Sequence, residues 1–388
     1  MPDVSSRAPA DVRVWAALDA HKLSIVAATL PASGGTPEII EIENTPRAIR
    51  RLIDRLGGPR GLAVCYEAGP VGWQLMRLLD KLGVACDVIA PSLIPVRAGD
   101  RIKTDRRDAR KLVRLYRAGE LTFVVSPSAE QEGLRDLVRC REDLRDARTR
   151  ARHRAVKQLL RRGHVYREGK HWTQRHRAWL RAQHLEDPVA HAALEHMLCH
   201  LDSIDAQIAA IDHELEQIAR SERWAPAVKA LCAFRGISTR TALGLLAEIG
   251  DFRRFGSARE LMSYLGLVPC EYSSGQERHR GHITKAGPKE ARRLLIEAAW
   301  HYRHAPRLSA RQAKTRAQIP DVIAARAWQA QIRLRHRHRT LAEHHKRPTI
   351  ANVAVARELT GFLWAAMTDQ PLRDADQHTA TPHEVAAA

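Results

Sequence analysis

Two carboxylates three residues apart, Asp105 and Asp108, lie within the cationic run K-T-D-R-R-D-A-R-K. On a helix this spacing puts both side chains on one side, where they can share a ligand. Two more carboxylates, Asp19 and Glu67, each follow a short apolar run with the composition of a strand. The strand ends of an α/β sheet are the usual position of catalytic side chains. These oxygen donors together predict a site for Mg²⁺ or Mn²⁺, ions that can activate an oxygen for attack on phosphate.

The cations beside this pair of carboxylates allow two interpretations. Lys103, Arg106 and Arg107 either form ordinary ion pairs on an exposed helix or bind a polyanion next to the metal. The charge of the whole chain favours the second, because 63 Lys and Arg oppose 44 acids and give a formal net charge of +19. A surplus of this size implies a polyanionic partner.

The apolar pattern and the cysteines suggest where the chain works. No apolar run approaches the roughly 18 residues of a membrane span, and the N-terminus lacks the apolar core of a signal peptide. We therefore expect a nucleic acid rather than a lipid as partner. The six cysteines are scattered without a CxxC pair, which predicts reduced thiols in a cytoplasmic protein.

A second candidate for chemistry is the serine pair Ser273 and Ser274, in E-Y-S-S-G-Q-E-R-H-R-G. Gly275 and Gly281, which follow the serines, free the backbone, and three cations surround the hydroxyls: Arg278, Arg280 and Lys285. A serine hydroxyl needs assistance of this kind to act as a nucleophile at neutral pH. The same letters also fit a plain Ser-Gly turn in a basic loop.

The elements that must position these residues change along the chain. The first 120 residues or so contain three strands in a meander and then alternating helices and strands, which predicts an α/β domain with a mixed sheet. From about 128 to 220 the sequence predicts helices only. Apolar residues there step by three and four, at Leu194, Met197, Leu201, Ile204, Ile208, Ile211, Leu215 and Ile218. This spacing predicts a coiled-coil arm that packs either on another subunit or on the basic helix around 130–162.

His196, Cys199 and His200 lie on the arm at helical spacing and have the side chains of zinc ligands. No second cluster completes the four ligands of a structural zinc site. We therefore interpret them as a core cysteine and two surface histidines.

Beyond the arm, two helices flank a turn at Gly236, and the second helix ends at Gly250. This is the pattern of a helix-hairpin-helix, whose turn amides and helix N-terminus can bind a backbone phosphate. An ordinary αα-hairpin without a ligand fits the pattern as well. The basic runs between 306 and 347 would suit a phosphate-binding surface, and residues 371–388 have the composition of a disordered tail.

Four ordered motifs give the first half a family resemblance: D-A-H-K-x-S-I-V-A, Y-E-A-G-P-x-G-W, P-S-L-I-P and K-T-D-R-R-D-A-R-K-L. This set closely resembles the DEDD transposases of bacterial insertion sequences, the IS110 family. The resemblance implies a RuvC-like, RNase H-like fold for the first domain. It also implies that the metal is held by a tetrad, whose members are Asp19, Glu67, Asp105 and Asp108.

The second half carries G-L-x-P…S-S-G…G…I-T-K-x-G, which resembles the C-terminal transposase domain of the same family. The resemblance implies that Ser274, or less favourably Ser273, is the nucleophile that joins covalently to a DNA phosphate. It further implies a bridge RNA that pairs with donor and target DNA. The expected assembly is a homo-oligomer, a dimer or tetramer, in which the RuvC-like site of one subunit meets the serine of another.

These expectations divide the chain into a RuvC-like catalytic domain (1–125), a helical coiled-coil arm (126–222), a mainly α C-terminal transposase domain with a helix-hairpin-helix-like element (223–370) and a disordered tail (371–388). The predicted activity is excision and integration of an insertion sequence. Two alternatives remain open. One is a RuvC-like junction resolvase or nuclease that uses water as nucleophile, and the other is an inactive, nucleic-acid-binding relative.

Overall fold

The structure, a computed structural model, describes residues 6–95, 104–274 and 277–368. For 272–274, 277–280 and 311 it describes the backbone only. Lys103 and the predicted tail therefore lie outside the described residues. The described residues divide into two compact units, one within residues 6–126 and one within residues 127–368. No helix within the described ranges is both long enough and apolar enough to cross a membrane.

The N-terminal unit is built on a five-stranded sheet in the order β3-β2-β1-β4-β5. Its strands are β1 (Val14–Ala20), β2 (Ser24–Pro31), β3 (Glu38–Glu43), β4 (Leu62–Glu67) and β5 (Ala85–Ile89). Strands β1, β2 and β3 pair antiparallel, whereas β4 runs parallel to both β1 and β5. The predicted α/β domain with a mixed sheet is confirmed.

Helices cover both faces of this sheet because its strands are apolar on both sides. Helices α1 (Pro46–Arg55) and α2 (Gln74–Lys81) pack on the face that includes Leu18. Helix α3 (Asp105–Arg117) packs on the face that includes Ala17, through the stripe Ala109, Leu112, Val113 and Tyr116. Thr104 caps α3, since its side-chain oxygen accepts from the Arg107 backbone N–H at 3.4 Å.

The second unit begins with a helical hairpin. Its helices are α4 (Ala129–Leu160), α5 (Gln174–Arg181) and α6 (Pro188–Ile218). Five residues of the predicted seam are at most 4% exposed: Leu194, Leu201, Ile204, Ile208 and Leu215. They pack against α4 of the same chain, around Leu159 at one end and Leu134 at the other, so the two long helices run antiparallel.

Two details of the arm differ from the sequence prediction. Residues 161–173 form turns and loop rather than helix, and a small aromatic core of Tyr166, His176 and Trp179 lies beside them. Cys199 is exposed rather than in the core, because its position on α6 points away from the seam. His196 and His200 are exposed as predicted. Within the described residues these three side chains belong to no metal-binding group.

The rest of the second unit is mainly helical, as predicted. Its elements are α7 (Ala225–Cys232), α8 (Thr239–Ile249), α9 (Ala258–Tyr264), β6 (Pro269–Ser274), β7 (Glu277–Ile283), α10 (Lys289–Ala299), α11 (Ala310–Arg316), α12 (Asp321–Glu343) and α13 (Pro348–Thr368). Gly236, between α7 and α8, has φ +84°, and a Cβ there would lie 2.5 Å from the Ala298 carbonyl oxygen. A glycine is therefore required where this turn packs on α10.

Candidate active site

Asp19 and Glu67 occupy matching positions at the ends of neighbouring parallel strands. The register pairs Leu18 of β1 with Tyr66 of β4, so the next residue on each strand is one of the two carboxylates. The residues two positions earlier, Ala17 and Cys65, both belong to the core beneath α3. Because side chains alternate between faces, Asp19 and Glu67 point toward that same face.

Helix α3 brings the third carboxylate to this point. Asp105 is its first residue and precedes Ala109 by one helical turn, which places it on the stripe that faces the sheet. Asp108 precedes the buried Leu112 by one turn and is half-buried. Asp19 and Glu67 thus lie at the ends of neighbouring strands on the face that α3 covers, and Asp105 and Asp108 lie in the first turn of α3.

His21, a residue of the D-A-H-K motif that was not predicted to bind metal, lies beside two of these carboxylates. The His21 Nε2 atom lies 3.5 Å from the Asp19 Oδ1 atom and 3.4 Å from the Asp105 Oδ2 atom. The three donor atoms all lie within 4.8 Å of one another. Among the described residues this is the one group of three or more metal-binding side chains so closely gathered, and Glu67 and Asp108 are not part of it.

The chemistry of this group fits a divalent cation. Carboxylate oxygens are the donors that Mg²⁺ and Mn²⁺ prefer, and an imidazole nitrogen is compatible with Mn²⁺. The Asp19 side chain is 29% exposed, Asp105 58% and His21 50%. A site of this kind is open enough for a phosphodiester to reach it.

The predicted nucleic-acid contacts near this site have different surroundings. Arg106 forms an exposed ion pair of 3.5 Å with Glu41 on the adjacent strand β3, a contact that contributes little stability. Arg107 is exposed in the first turn of α3. Arg106 therefore shows the ordinary ion pairing that was the first of the two interpretations, whereas Arg107 is exposed to solvent.

The serine pair lies on a β-hairpin in the other unit. Ser274 is the last residue of β6, and the register places it opposite Glu277, with Ser273 opposite Arg278. Arg280 lies opposite Glu271 on the same two strands. The hairpin is thus a defined element with both serines beside its tip.

The glycines of the second motif hold the base of this hairpin. Gly266 and Gly287 have φ of +63° and +66°, and a Cβ on Gly287 would overlap the Tyr264 carbonyl oxygen. The Lys285 backbone N–H donates to the Gly266 carbonyl at 3.1 Å. Arg292, only 9% exposed, joins the two loops by donating to the carbonyls of Leu265 and Ala286 at 2.9 and 2.7 Å.

Lys285 itself has φ +56°, a left-handed conformation that is uncommon for a residue with a side chain. Its side chain is exposed at the base of the hairpin.

Burial lowers the pKa of Arg292, because a low-polarity environment disfavours the charged form. Carbonyl oxygens are its only hydrogen-bond acceptors among the described contacts.

Several arginines of the second unit form ion pairs with acidic residues of the same unit. Arg139 forms a bidentate pair with the buried Glu248, and Arg148 and Arg177 both pair with Asp205 on α6. Burial raises the pKa of Asp205, but hydrogen bonds from these two arginines outweigh it and hold that pKa below its usual value. The arm's basic helix is therefore stabilised by its acidic partner.

Some arginines of the basic run 333–339, which lies on α12, also form ion pairs within the second unit. Arg333 and Arg337 pair with Glu358 of α13 at 3.1 and 3.2 Å. Leu334 between them is fully buried. These arginines help to hold α12 on α13.

Both halves of the chain match known families. Residues 16–164 match a DEDD-type IS110 family described as "Transposase", and residues 228–314 match the family "Transposase IS116/IS110/IS902 family". "Putative transposase y4qE" of Sinorhizobium fredii is 40% identical over 92% of this chain and 90% of its own length. The "Transposase for insertion sequence element IS1533" of Leptospira borgpetersenii is 31% identical over 86% of this chain and 98% of its own.

The α/β unit with acidic side chains at its strand ends and the two matched regions define a DEDD-type transposase, an enzyme. The chain belongs to the IS110 family of these transposases.

Proposed function

We propose that this transposase excises and integrates its insertion sequence with two sets of residues, a metal-binding tetrad and a serine nucleophile. Asp19, Glu67, Asp105 and Asp108 hold Mg²⁺ or Mn²⁺, and Ser274 attacks the DNA. The observation that carries the proposal is the convergence of Asp19 and Asp105, whose oxygens lie within 4.8 Å of each other. When bound, the ion stabilises negative charge on the phosphate and assists an oxygen nucleophile.

The sheet and α3 orient the carboxylates before substrate arrives. Asp19 and Glu67 are fixed by hydrogen-bonded strands, and Asp105 by a capped helix. Such preorganisation lowers the entropic cost of assembling the site around a phosphodiester. Arg107 and Lys285 are exposed cations that bind backbone phosphates, as Lys and Arg do in most nucleic-acid complexes.

The serine step exchanges one ester bond for another. The Ser274 oxygen forms a bond to phosphorus, and one phosphorus–oxygen bond of the DNA strand breaks. The hydroxyl gives up its proton, and the departing oxygen of the DNA takes one up. The covalent serine–phosphate ester keeps the energy of the broken bond, so that a second strand end can be joined without an external energy source.

Sequence choice comes from base pairing in this proposal. A bridge RNA pairs with donor and target DNA, and a homo-oligomer of the protein binds backbone and shape. The support is the net charge of +19 spread over the chain, which suits contacts with phosphates rather than with particular bases.

A trapping experiment tests the serine. Donor DNA nicked so that rejoining fails is incubated with full-length protein, bridge RNA and Mg²⁺, and a denaturing gel detects protein–DNA adducts. Wild type should give an adduct, Ser274→Ala should give none, and Ser273→Ala is the matched control that should retain it. Peptide mapping identifies the residue attached. Cleavage without any adduct would instead support a nuclease that uses water.

The carboxylates are tested separately. Asp19→Asn or Asp105→Asn should abolish strand cleavage while DNA binding remains within about threefold of wild type, because phosphate contacts come from Arg and Lys. Gel-shift and cleavage assays on the same preparations measure both. Normal cleavage by either variant would contradict the metal-binding role of that residue.

A further inference from the structure

We propose that His21 is a ligand of the divalent cation, so that the site combines carboxylate oxygens with one ring nitrogen. This inference rests on the proposed metal site and adds to it a residue outside the four predicted carboxylates. The starting observation is that the His21 ring nitrogen faces both Asp19 and Asp105 at nearly equal distances, 3.5 and 3.4 Å.

These two distances are too long for the hydrogen bonds that such a ring would otherwise make. Charge-assisted N–H···O bonds are about 2.7–2.9 Å long, and ordinary ones extend to about 3.2 Å. The ring contacts both carboxylates at ion-pair distance, but no short hydrogen bond ties it to either one. Adjacent donors of an octahedral site with metal–ligand bonds of about 2.1 Å lie about 3.0 Å apart, and the His21 distances exceed that spacing by about 0.5 Å or less.

The backbone around His21 is fixed, which makes the ring a prepared ligand. The His21 N–H donates to the Ser24 carbonyl at 2.8 Å. Asn44, just after β3, holds the turn twice: its backbone N–H donates to the Leu23 carbonyl at 2.9 Å, and its side-chain amide donates to the His21 carbonyl at 2.7 Å. Because hydrogen bonds already hold the turn at the His21 and Leu23 carbonyls, ordering the His21 ring costs little additional entropy.

The side chains of the two residues that follow His21 in the turn are exposed. Leu23 is 78% exposed and Lys22 is exposed, so neither packs on the site. His21 is the only histidine in the first 126 residues. The only imidazole that this unit itself can offer to a metal is therefore that of His21.

The nitrogen predicts a metal preference. Imidazole binds first-row transition ions better than it binds Mg²⁺, whereas carboxylates serve both. His21→Ala should weaken Mn²⁺ binding by at least about tenfold, the lower end of what even an indirect partner contributes, and should weaken Mg²⁺ binding less. The dissociation constant for Mn²⁺ should consequently rise by a larger factor than the dissociation constant for Mg²⁺.

Pulsed electron paramagnetic resonance of full-length protein loaded with Mn²⁺ tests the ligand directly. Wild type should show hyperfine coupling from a coordinated ¹⁴N nucleus, and His21→Ala and His21→Gln should both lose it. The Gln variant keeps a polar side chain, and Leu23→Ala is the control for a change in the same turn. Equal melting temperatures verify that all variants are folded.

The outcomes separate this inference from the proposed site. If Asp19→Asn releases Mn²⁺ but His21→Ala leaves both the ¹⁴N coupling and the affinity unchanged, His21 is not a ligand and the carboxylate site stands. If Asp19→Asn has no effect on Mn²⁺ affinity, the metal site itself is wrong.

Discussion

Gly287 provides a strong test of how the serine hairpin is held. Its φ of +66° is left-handed, and a Cβ there would overlap the Tyr264 carbonyl oxygen. For Gly287→Ala, the left-handed backbone costs about 1–2 kcal/mol. Displacing the packed loop costs about 1–3 kcal/mol more, as overpacking does elsewhere. We therefore expect a loss of about 2–5 kcal/mol in the free energy of unfolding.

Gly281 is the matched control because it lies in the same motif without these constraints. A Cβ on Gly281 would find Cys270 Cβ at 3.7 Å, an ordinary contact, and its φ is not left-handed. Gly281→Ala should change stability by less than about 1 kcal/mol.

Thermal unfolding followed by circular dichroism measures the difference. For a unit of this size each kcal/mol lowers Tm by about 2–4 °C, so Gly287→Ala should melt roughly 4–20 °C below wild type. Equal melting temperatures for Gly287→Ala and Gly281→Ala would refute the close approach of the two loops.

Three further predictions concern the second unit. Leu201→Asp combined with Ile208→Asp buries two charges in the arm, and we expect this double variant to lose helical circular dichroism. Gln207→Asp, at an exposed position of the same helix, is the control and should keep it. Unchanged helicity in the double variant would mean that the seam is not buried. Arg292→Met leaves two carbonyls without their donor and should cost about 1–3 kcal/mol in urea unfolding, so a neutral result would remove its role as a clamp. The pKa of Asp205 is held low by its arginine partners, so its contribution to stability is present at neutral pH and is lost as pH falls below about 4. Asp205→Asn should flatten the acid limb of a plot of stability against pH, and an identical limb would contradict the ion pairs.

The order of strands and helices in the first unit was predictable because each element carries its own pattern. The β-branched run of β2 and the spacing of α3 are local signals. The position of His21 was not predictable in the same way. It depends on the hydrogen bond from Asn44, 23 residues further along the chain, and on the crossing of α3, so it is set by segments far apart in sequence.

The packing partner of the arm was likewise not predictable from the sequence. The three-four spacing identified the buried face of α6, including Leu201 and Ile208, but could not distinguish a partner within the chain from one outside it. The helical prediction was wrong for 161–173, where the residues are not apolar at helical spacing. The order of this loop comes from ring contacts instead, with His176 fully buried between Tyr166 and Trp179.

Helix α4 runs without interruption from Ala129 to Leu160. Its first turns are embedded in the large core through Leu134 and Val138, and its last turn belongs to the separate small core around Leu159. A helix of this length is about 48 Å long, so a single rigid element connects the two cores. A tilt of about 5° at its base carries the far end through about 4 Å, which is more than the length of a hydrogen bond. A repacking of the core that also contains α8 and α10 would therefore displace the far end of α4 by more than it displaces the base.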